Sequence, residues 1–251
     1  MENDARSTWQ AALNGSLDPT GLFARCHVIA EVDSTQDEAR RLALPVGSML
    51  AALRQTRGRG RLGRSWHDTG QSGVALTAVL PTDDAARLSI RCAVAAALAV
   101  ESMIDREVGI KWPNDLILGG RKIGGILVEL CDERALGGIG INVSQVQWPA
   151  HLAGRAASLL ECGCVVDRLA LVSAVAGCMS KVWKQDDASL IGAFHRRDVL
   201  SGRTATLEHD RLIYSGTITA IDPMRSLTIS AELGPVTLPA LSTRVLSVGG
   251  M

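Results

Sequence analysis

The sequence carries no net charge: 26 basic residues face 26 acidic ones over 251 residues. A neutral chain offers no bulk attraction to nucleic acid or to a membrane surface, so either role would need a local patch. Long apolar runs are missing too. The longest near the middle is Ala93–Val100, far short of the ~18–20 residues of a spanning helix. The first residues, Met1-Glu2-Asn3-Asp4-Ala5-Arg6, lack the apolar segment of a secretory signal. These absences predict a cytoplasmic protein with no nucleic-acid partner and no membrane partner.

Several chemistries are missing as well. Of the six cysteines (Cys26, Cys92, Cys131, Cys162, Cys164, Cys178), only Cys162 and Cys164 are close. Their C-x-C spacing is not the C-x-x-C of a zinc or redox site, so reduced thiols are expected. The histidines show no H-x-x-x-H spacing and no Ser-His-Asp arrangement, so nucleophilic catalysis by the protein is not indicated. No G-x-x-x-x-G-K-[ST] loop occurs. Gly58-x-Gly60-x-x-Gly63 has the spacing of a dinucleotide fingerprint, but Arg64–Gly73 lacks the helical period that must follow it.

What is present is ordinary globular composition, 47% hydrophobic and 21% charged, enough for one large domain with a small appendage. Residues 1–26 are weakly patterned. His27–Val32 reads as a strand. Thr35-Gln36-Asp37-Glu38 fits a capping box opening a helix that Pro45 and Gly47 end. Met49–Arg54 is a short strand and Gln55–Ser72 a long glycine-rich loop. Val74–Leu80 is a strand, Asp84–Ile104 an alanine-rich buried helix and Val108–Trp112 a strand. Leu116–Leu118 and Lys122–Leu130 flank Gly119-Gly120 as a hairpin, and Leu136–Val143 follows. Asp167 caps a helix to about Lys184, and Ser189–Arg197 forms another. Beyond Arg203 short alternating segments (Ala205–Glu208, Leu212–Ile221, Ser226–Ala231, Val236–Leu238, Val245–Val248) predict a small β-barrel or sandwich. The expected units are 1–200 and 201–251.

Four segments could carry chemistry. Arg57, Arg59, Arg61 and Arg64 fall within eight residues, separated by glycines that let the backbone approach a ligand. Guanidinium forks suit phosphate and carboxylate oxygens. The segment reads as a lid over a small polyanion, as a solvated basic loop, or as an RGG-like RNA binder, although no aromatic precedes Trp66. As a lid it should be mobile without ligand, since its arginines repel and nothing apolar anchors it. Lys111-Trp112-Pro113-Asn114-Asp115-Leu116 is either a bulged edge strand or a rigid corner aiming Asn114 and Asp115 into a pocket. Lys122-Ile123-Gly124-Gly125-Ile126 places two glycines in a strong strand, where close approach of a ligand or backbone is one reason for them. Lys111 and Lys122 are two of only four lysines. Gly138–Val143 is a glycine-punctuated strand with one polar residue, Asn142.

Taken in order, these segments resemble the biotin protein ligase family (biotin–[acetyl-CoA-carboxylase] ligase). Asp33-Ser34-Thr35-Gln36 is similar to its DST-N motif, Gly58–Trp66 to its GRGRxGRxW loop, and Lys111–Leu116 to KWPNDL. Arg121–Glu129 matches RK-x-x-GILxE, and Gly138–Val143 matches G-x-GINV. The resemblance covers about residues 30–145. It implies an α/β (α+β) class II synthetase-like mixed-sheet domain followed by an SH3-like β-barrel. It is the monofunctional type, without an N-terminal DNA-binding domain, that the short leading segment suggests.

The implied reaction has two steps. Biotin's carboxylate attacks the α-phosphate of Mg2+-ATP to give biotinyl-5′-AMP and pyrophosphate. A lysine of a biotin carboxyl carrier domain of an acyl-CoA carboxylase then attacks the anhydride and releases AMP. By the resemblance, Lys122, Arg59 and Asp115 are catalytic. Ser34, Thr35, Gln36, Gln55, Arg59, Gly60, Arg61, Lys122, Gly124 and Gly125 hold biotin or the adenylate. Arg64, Trp66, Lys111, Asn114 and Asn142 lie toward ATP, and no metal ligand is assigned. Position 36 is Gln where the family more often has Asn, and Gly154–Ala157 offers no bulky residue over adenine. A lipoate or octanoate ligase of the same fold is the nearest alternative.

Overall fold

The computed structural model describes residues 2–67 and 70–249. Asp68 and Thr69, inside the expected arginine lid, lie outside the described residues. Residues 2–16 fold as helix α1 (Glu2–Ser16), where the sequence showed little pattern. Its apolar stripe is thin because two of its polar side chains are structural. Leu13 is buried in the core. Asn14 Oδ1 accepts from Cys26 N at 2.8 Å, Gln10 Oε1 accepts from Val28 N at 2.9 Å, and Gln10 Nε2 donates to Cys26 O. The amides thus satisfy the outer backbone groups of an edge strand.

That strand is β1 (Arg25–Val32), followed by α2 (Thr35–Arg41) and β2 (Ser48–Gln55). The cap of α2 lies one residue earlier than the expected box: Ser34 is extended and its hydroxyl accepts from Asp37 N. The expected loop 55–72 contains a miniature hairpin, β3 (Gly58–Arg59) paired with β4 (Ser65–Trp66). A single turn at Arg61–Gly63 joins the two. Leu62 and Gly63 both have positive φ, 56° and 73°, a reversal that no periodicity announces.

Next come β5 (Gly73–Pro81), α3 (Ala85–Glu101), β6 (Gly109–Lys111), β7 (Asp115–Leu118), β8 (Arg121–Cys131) and β9 (Arg134–Asn142). Asp84 caps α3 by accepting from Arg87 N at 2.9 Å. Gly119 and Gly120, with φ of 58° and 77°, make the β7–β8 hairpin turn that only left-handed backbone allows. Two helices, α4 (Arg168–Trp183, capped by Asp167) and α5 (Asp187–His195), follow.

The main sheet runs β1-β2-β5-β9-β8-β7-β6. Its first pair is parallel and the remaining pairs are antiparallel, which makes it mixed. The two faces are told apart by neighbouring glycines of β9. A Cβ on Gly137 would sit 3.0 Å from Cys92 Sγ of α3, whereas one on Gly138 or Gly140 would strike Gln36 of α2 or Trp66 of β4. The α3 layer therefore covers one face, and α2 with the arginine hairpin covers the other.

Strands β10 (Thr204–His209), β11 (Leu212–Asp222), β12 (Ser226–Ala231), β13 (Gly234–Pro239) and β14 (Arg244–Val248) form an antiparallel sheet. Its order is β13-β12-β11-β10-β14, so among the described residues β13 and β14 are its edges, and the expected small β-barrel or sandwich is a five-stranded antiparallel sheet that does not close. This sheet is docked firmly. Trp112, 1% exposed, donates from Nε1 to Pro223 O at 3.2 Å, and one apolar cluster runs from Phe23 to Leu238. All six cysteines are free. No helix of the described residues is long and apolar enough to cross a membrane.

Candidate active site

A cavity of about 940 Å³ lies on the face covered by α2 and the arginine hairpin. All but one of the residues given a site role by the resemblance line it, although they come from eight helices and strands and the turns between them. The exception is Gly124. A Cβ there would sit 2.9 Å from Gly140 O and 3.0 Å from Leu116 Cδ1, so this glycine is demanded by neighbouring strands and does not face the cavity. Gly125 does line it; a Cβ there would meet Lys122 Nζ at 3.2 Å and the Trp66 ring at 3.3 Å.

One end of the cavity is polar and buried. Gln55 Oε1 accepts from Thr35 N at 2.8 Å and from Thr35 Oγ1 at 3.2 Å. Thr77 Oγ1 donates to Thr35 Oγ1 at 2.9 Å. Gln36 Nε2 donates to Leu127 O and Leu136 O, at 3.2 and 3.1 Å, which ties α2 across β8 and β9. The Gln36 carboxamide makes both bonds, and Gly138 leaves room for it. Ala75, Ile126 and Ile139 give the floor an apolar surface.

The other end is cationic. Among the described lining residues seven are cations (Arg59, Arg61, Arg64, Lys111, Lys122, Arg155, Arg244) and one is a carboxylate, Asp115. Lys122 Nζ donates to Asp115 Oδ1 at 2.5 Å, since β7 and β8 are paired there, and it lies 5.8 Å from the Trp66 ring centroid. Lys111 sits opposite Asp115 in the β6–β7 pair. Burial, reinforced by the charges of Arg155, Lys122 and Arg64, holds the Lys111 ammonium below its ordinary range, against the pull of Asp115. Burial likewise lowers Arg61, which Asp115 partly offsets. Asn114 is locked by Nδ2 donating to Ile126 O at 2.8 Å, and Asn142 by Nδ2 donating to Ala157 O at 3.1 Å.

Three of the four arginines of this segment have partners that the sequence did not announce. Arg57 pairs with Asp33 at 3.2 Å, and Arg59 pairs with Asp37 and Glu129, each at 2.9 Å. Arg61 donates to Asn114 Oδ1 at 3.2 Å and to the carbonyls of Ala240 and Leu241 at 2.8 and 2.9 Å. Sequence reasoning missed Trp148, His151, Arg155 and Arg244, which also line the cavity. Trp148 Nε1 donates to Glu161 Oε2 at 2.8 Å, so an aromatic ring does reach the side where Gly154–Ala157 supplies none. Their segments have no period or motif, and nothing local to them points to a cleft.

The mixed sheet and the cationic cleft on one of its faces can be set beside known proteins. Residues 28–145 match the biotin/lipoate A/B protein ligase family model. Two curated relatives illustrate the likeness. The chain is 34% identical over 168 residues to the bifunctional ligase/repressor BirA of Bacillus subtilis, covering 61% of this chain and 52% of that protein. It is 36% identical over 128 residues to the biotin--[acetyl-CoA-carboxylase] ligase of Mycobacterium tuberculosis, covering 47% of this chain and 46% of that one. The chain thus spans about half the length of the curated relatives it matches. Among solved structures, the biotin protein ligase of Aquifex aeolicus in complex with biotin and ATP is similar with a TM-score of 0.81 and 26% identity, covering 89% of this chain and 99% of that one.

Proposed function

We propose that this chain is an ATP-dependent biotin protein ligase. The observation that carries the reading is a single cavity with a buried polar end, an apolar floor and a mouth of seven cations against one carboxylate. Biotin's ureido ring suits the end built from Thr35, Gln36, Gln55 and Thr77, its aliphatic chain the floor, and its carboxylate the cationic mouth. Lipoate and octanoate end in apolar groups that offer this polar end no hydrogen-bonding atoms of their own, which disfavours them. The Arg-Gly segment as a free RNA-binding module is disfavoured because its arginines hold the cleft together.

In the first step a biotin carboxylate oxygen forms a bond to the α-phosphorus of ATP. The α–β bridging bond breaks, and its electron pair leaves with pyrophosphate. Two anions must meet, so Lys122, held by Asp115 on paired strands, neutralises charge between them. Arg61, Arg64 and Lys111 take the polyphosphate oxygens, and Trp66, with Asn114 and Asn142, shapes the nucleotide side. Ser34 and Gly60 border the acyl chain, and Arg59 fixes the hairpin that closes over it. In the second step the lysine amine of a carrier domain attacks the acyl carbonyl, AMP leaves, and the amine proton goes to solvent.

Among the described residues no three metal-ligating side chains gather. The residue that fits Mg2+ brought in on ATP is Asp115, where the metal would screen phosphate charge. The two units, 1–200 and 201–251, act together through Arg61. Such an enzyme works where ATP and its carrier domain are found, in the cytoplasm. The test is pyrophosphate release from ATP with biotin, lipoate or octanoate supplied in turn. Release with biotin alone, followed by transfer to a carrier domain, supports the reading; release with lipoate or octanoate instead overturns it.

A further inference from the structure

Outside the cavity wall, the side chains that deal with the arginine hairpin form a closed square of charge. Asp37 sits in the first turn of α2 and Glu129 near the end of β8, two elements fixed in the main sheet and its helix layer. Arg40, one turn along α2, donates to Asp37 Oδ1 at 2.7 Å and to Glu129 Oε2 at 2.8 Å. Arg59, from β3, donates to the same two oxygens, each at 2.9 Å. Two guanidiniums therefore share two carboxylates, and the square is neutral. Arg40 belongs to the frame; Arg59 is the only member on the hairpin. Neither Asp37 nor Glu129 lines the cavity.

The hairpin beyond Arg59 carries Arg61 and Trp66 into the cleft. The Trp66 ring packs against the sheet where glycines at 125 and 140 make room. The β3–β4 pair is only two residues long on each side, too short to hold itself in place. Its position rests on anchors outside it, and Arg59 supplies an ionic one on the α2–β8 side.

We propose that Asp37 and Glu129 are positioning residues: their carboxylates dock Arg59, hold the hairpin closed over the cleft, and so set how long an enclosed acyl-adenylate is retained, without touching it. The docking needs no ligand, so the lid is pre-closed and its counter-charge is built into α2 and β8. The retention half rests on the biotin-adenylate reading above; the docking half does not. Exchanging both carboxylates for isosteric amides removes the ionic docking while keeping shape and hydrogen-bond capacity. Arg40→Gln is the control, since it breaks the frame side of the square and leaves Arg59 its two carboxylates.

Two measurements are made on the full chain. The first is amide hydrogen exchange across residues 57–67 without ligand. The second is the dissociation rate of biotinyl-5′-AMP formed on the enzyme from biotin and Mg2+-ATP, alongside the rate of its formation. In Asp37→Asn/Glu129→Gln, exchange across the hairpin should rise about tenfold or more and the adenylate should leave about 10 to 100 times faster. The rate of its formation at saturating biotin and ATP should change less than about threefold. Arg40→Gln should stay near wild type in all three.

Unchanged exchange and unchanged release in the double variant overturn the proposal. So does an Arg40→Gln variant that releases adenylate as fast as the double variant, because the effect would then be α2–β8 packing and not the docking of Arg59. If wild type makes no biotinyl-5′-AMP, the biotin reading fails, while the ligand-free exchange still decides whether the carboxylates dock the hairpin.

Discussion

Replacing Lys122 with Ala should slow the first half-reaction selectively. Nζ is aimed by Asp115 Oδ1 at 2.5 Å, and the two residues are carried on paired strands rather than on loops. Its backbone is pinned on the other side too, with Lys122 N donating to Arg155 O and Ala157 N donating to Lys122 O, each at 2.9 Å. A cation held this way is preorganised toward charge that builds up between a carboxylate and a phosphate. Losing one such contact costs roughly 10²–10³ in rate, about 2.7–4 kcal/mol of transition-state stabilisation. Lys122→Ala is therefore expected to form adenylate more than ~100-fold more slowly. Transfer from pre-formed biotinyl-5′-AMP, where no triphosphate is present, should suffer less. Lys122→Arg should restore little, because the planar fork is larger and cannot keep the single short contact to Asp115. Single-turnover measurement of each half-reaction decides it. Adenylate formation at near wild-type rate, or an equal fall in both steps, would refute the reasoning and shift the role to Arg59 or Arg64.

Arg61→Ala removes three hydrogen bonds that join the hairpin to Asn114 and to the C-terminal sheet. With a charge-assisted contact worth roughly 1.5–3 kcal/mol, adenylate dissociation measured by rapid filtration should be about 10 to 100 times faster. Gly140→Ala puts a Cβ 2.5 Å from the Trp66 ring. The indole must lift, and the overpacking should cost about 1–3 kcal/mol in denaturant unfolding, with loss of biotin binding by calorimetry; an unchanged Trp66 environment by fluorescence would refute the contact. The lowered Lys111 ammonium has a sign that can be checked. A bound polyphosphate stabilises the charged form and raises the pKa again, so nucleotide binding at mildly alkaline pH should take up protons. Calorimetry in buffers of different ionisation enthalpy reads this directly, and proton release would contradict it.

The hairpin at Gly119-Gly120, the capped helices α3 and α4, and the strands of the main sheet were legible from sequence because each depends on local chemistry: a left-handed turn, a carboxylate cap, a short apolar run. The candidate site was legible in composition, since arginines spaced by glycines and two of four lysines beside polar corners already point to a polyanion. Other features were decided only by tertiary structure. Helix α1 has its polar side chains directed at the edge of β1, so its pattern looks weak until that edge is present. Gly124 and Gly125 are indistinguishable in the strand, and only the pairing of β8 with β7 and β9 sends one against backbone and the other toward the cleft. Trp148, Arg155 and Arg244 join the cavity from segments distant in sequence. The arginine hairpin finds its partners in carboxylates on α2 and β8 and in carbonyls at Ala240 and Leu241, up to 180 residues away. Sequence patterning reports what a segment does for itself; a cleft assembled across a sheet depends on which distant groups supply the opposite charge, and only the folded chain brings them within reach.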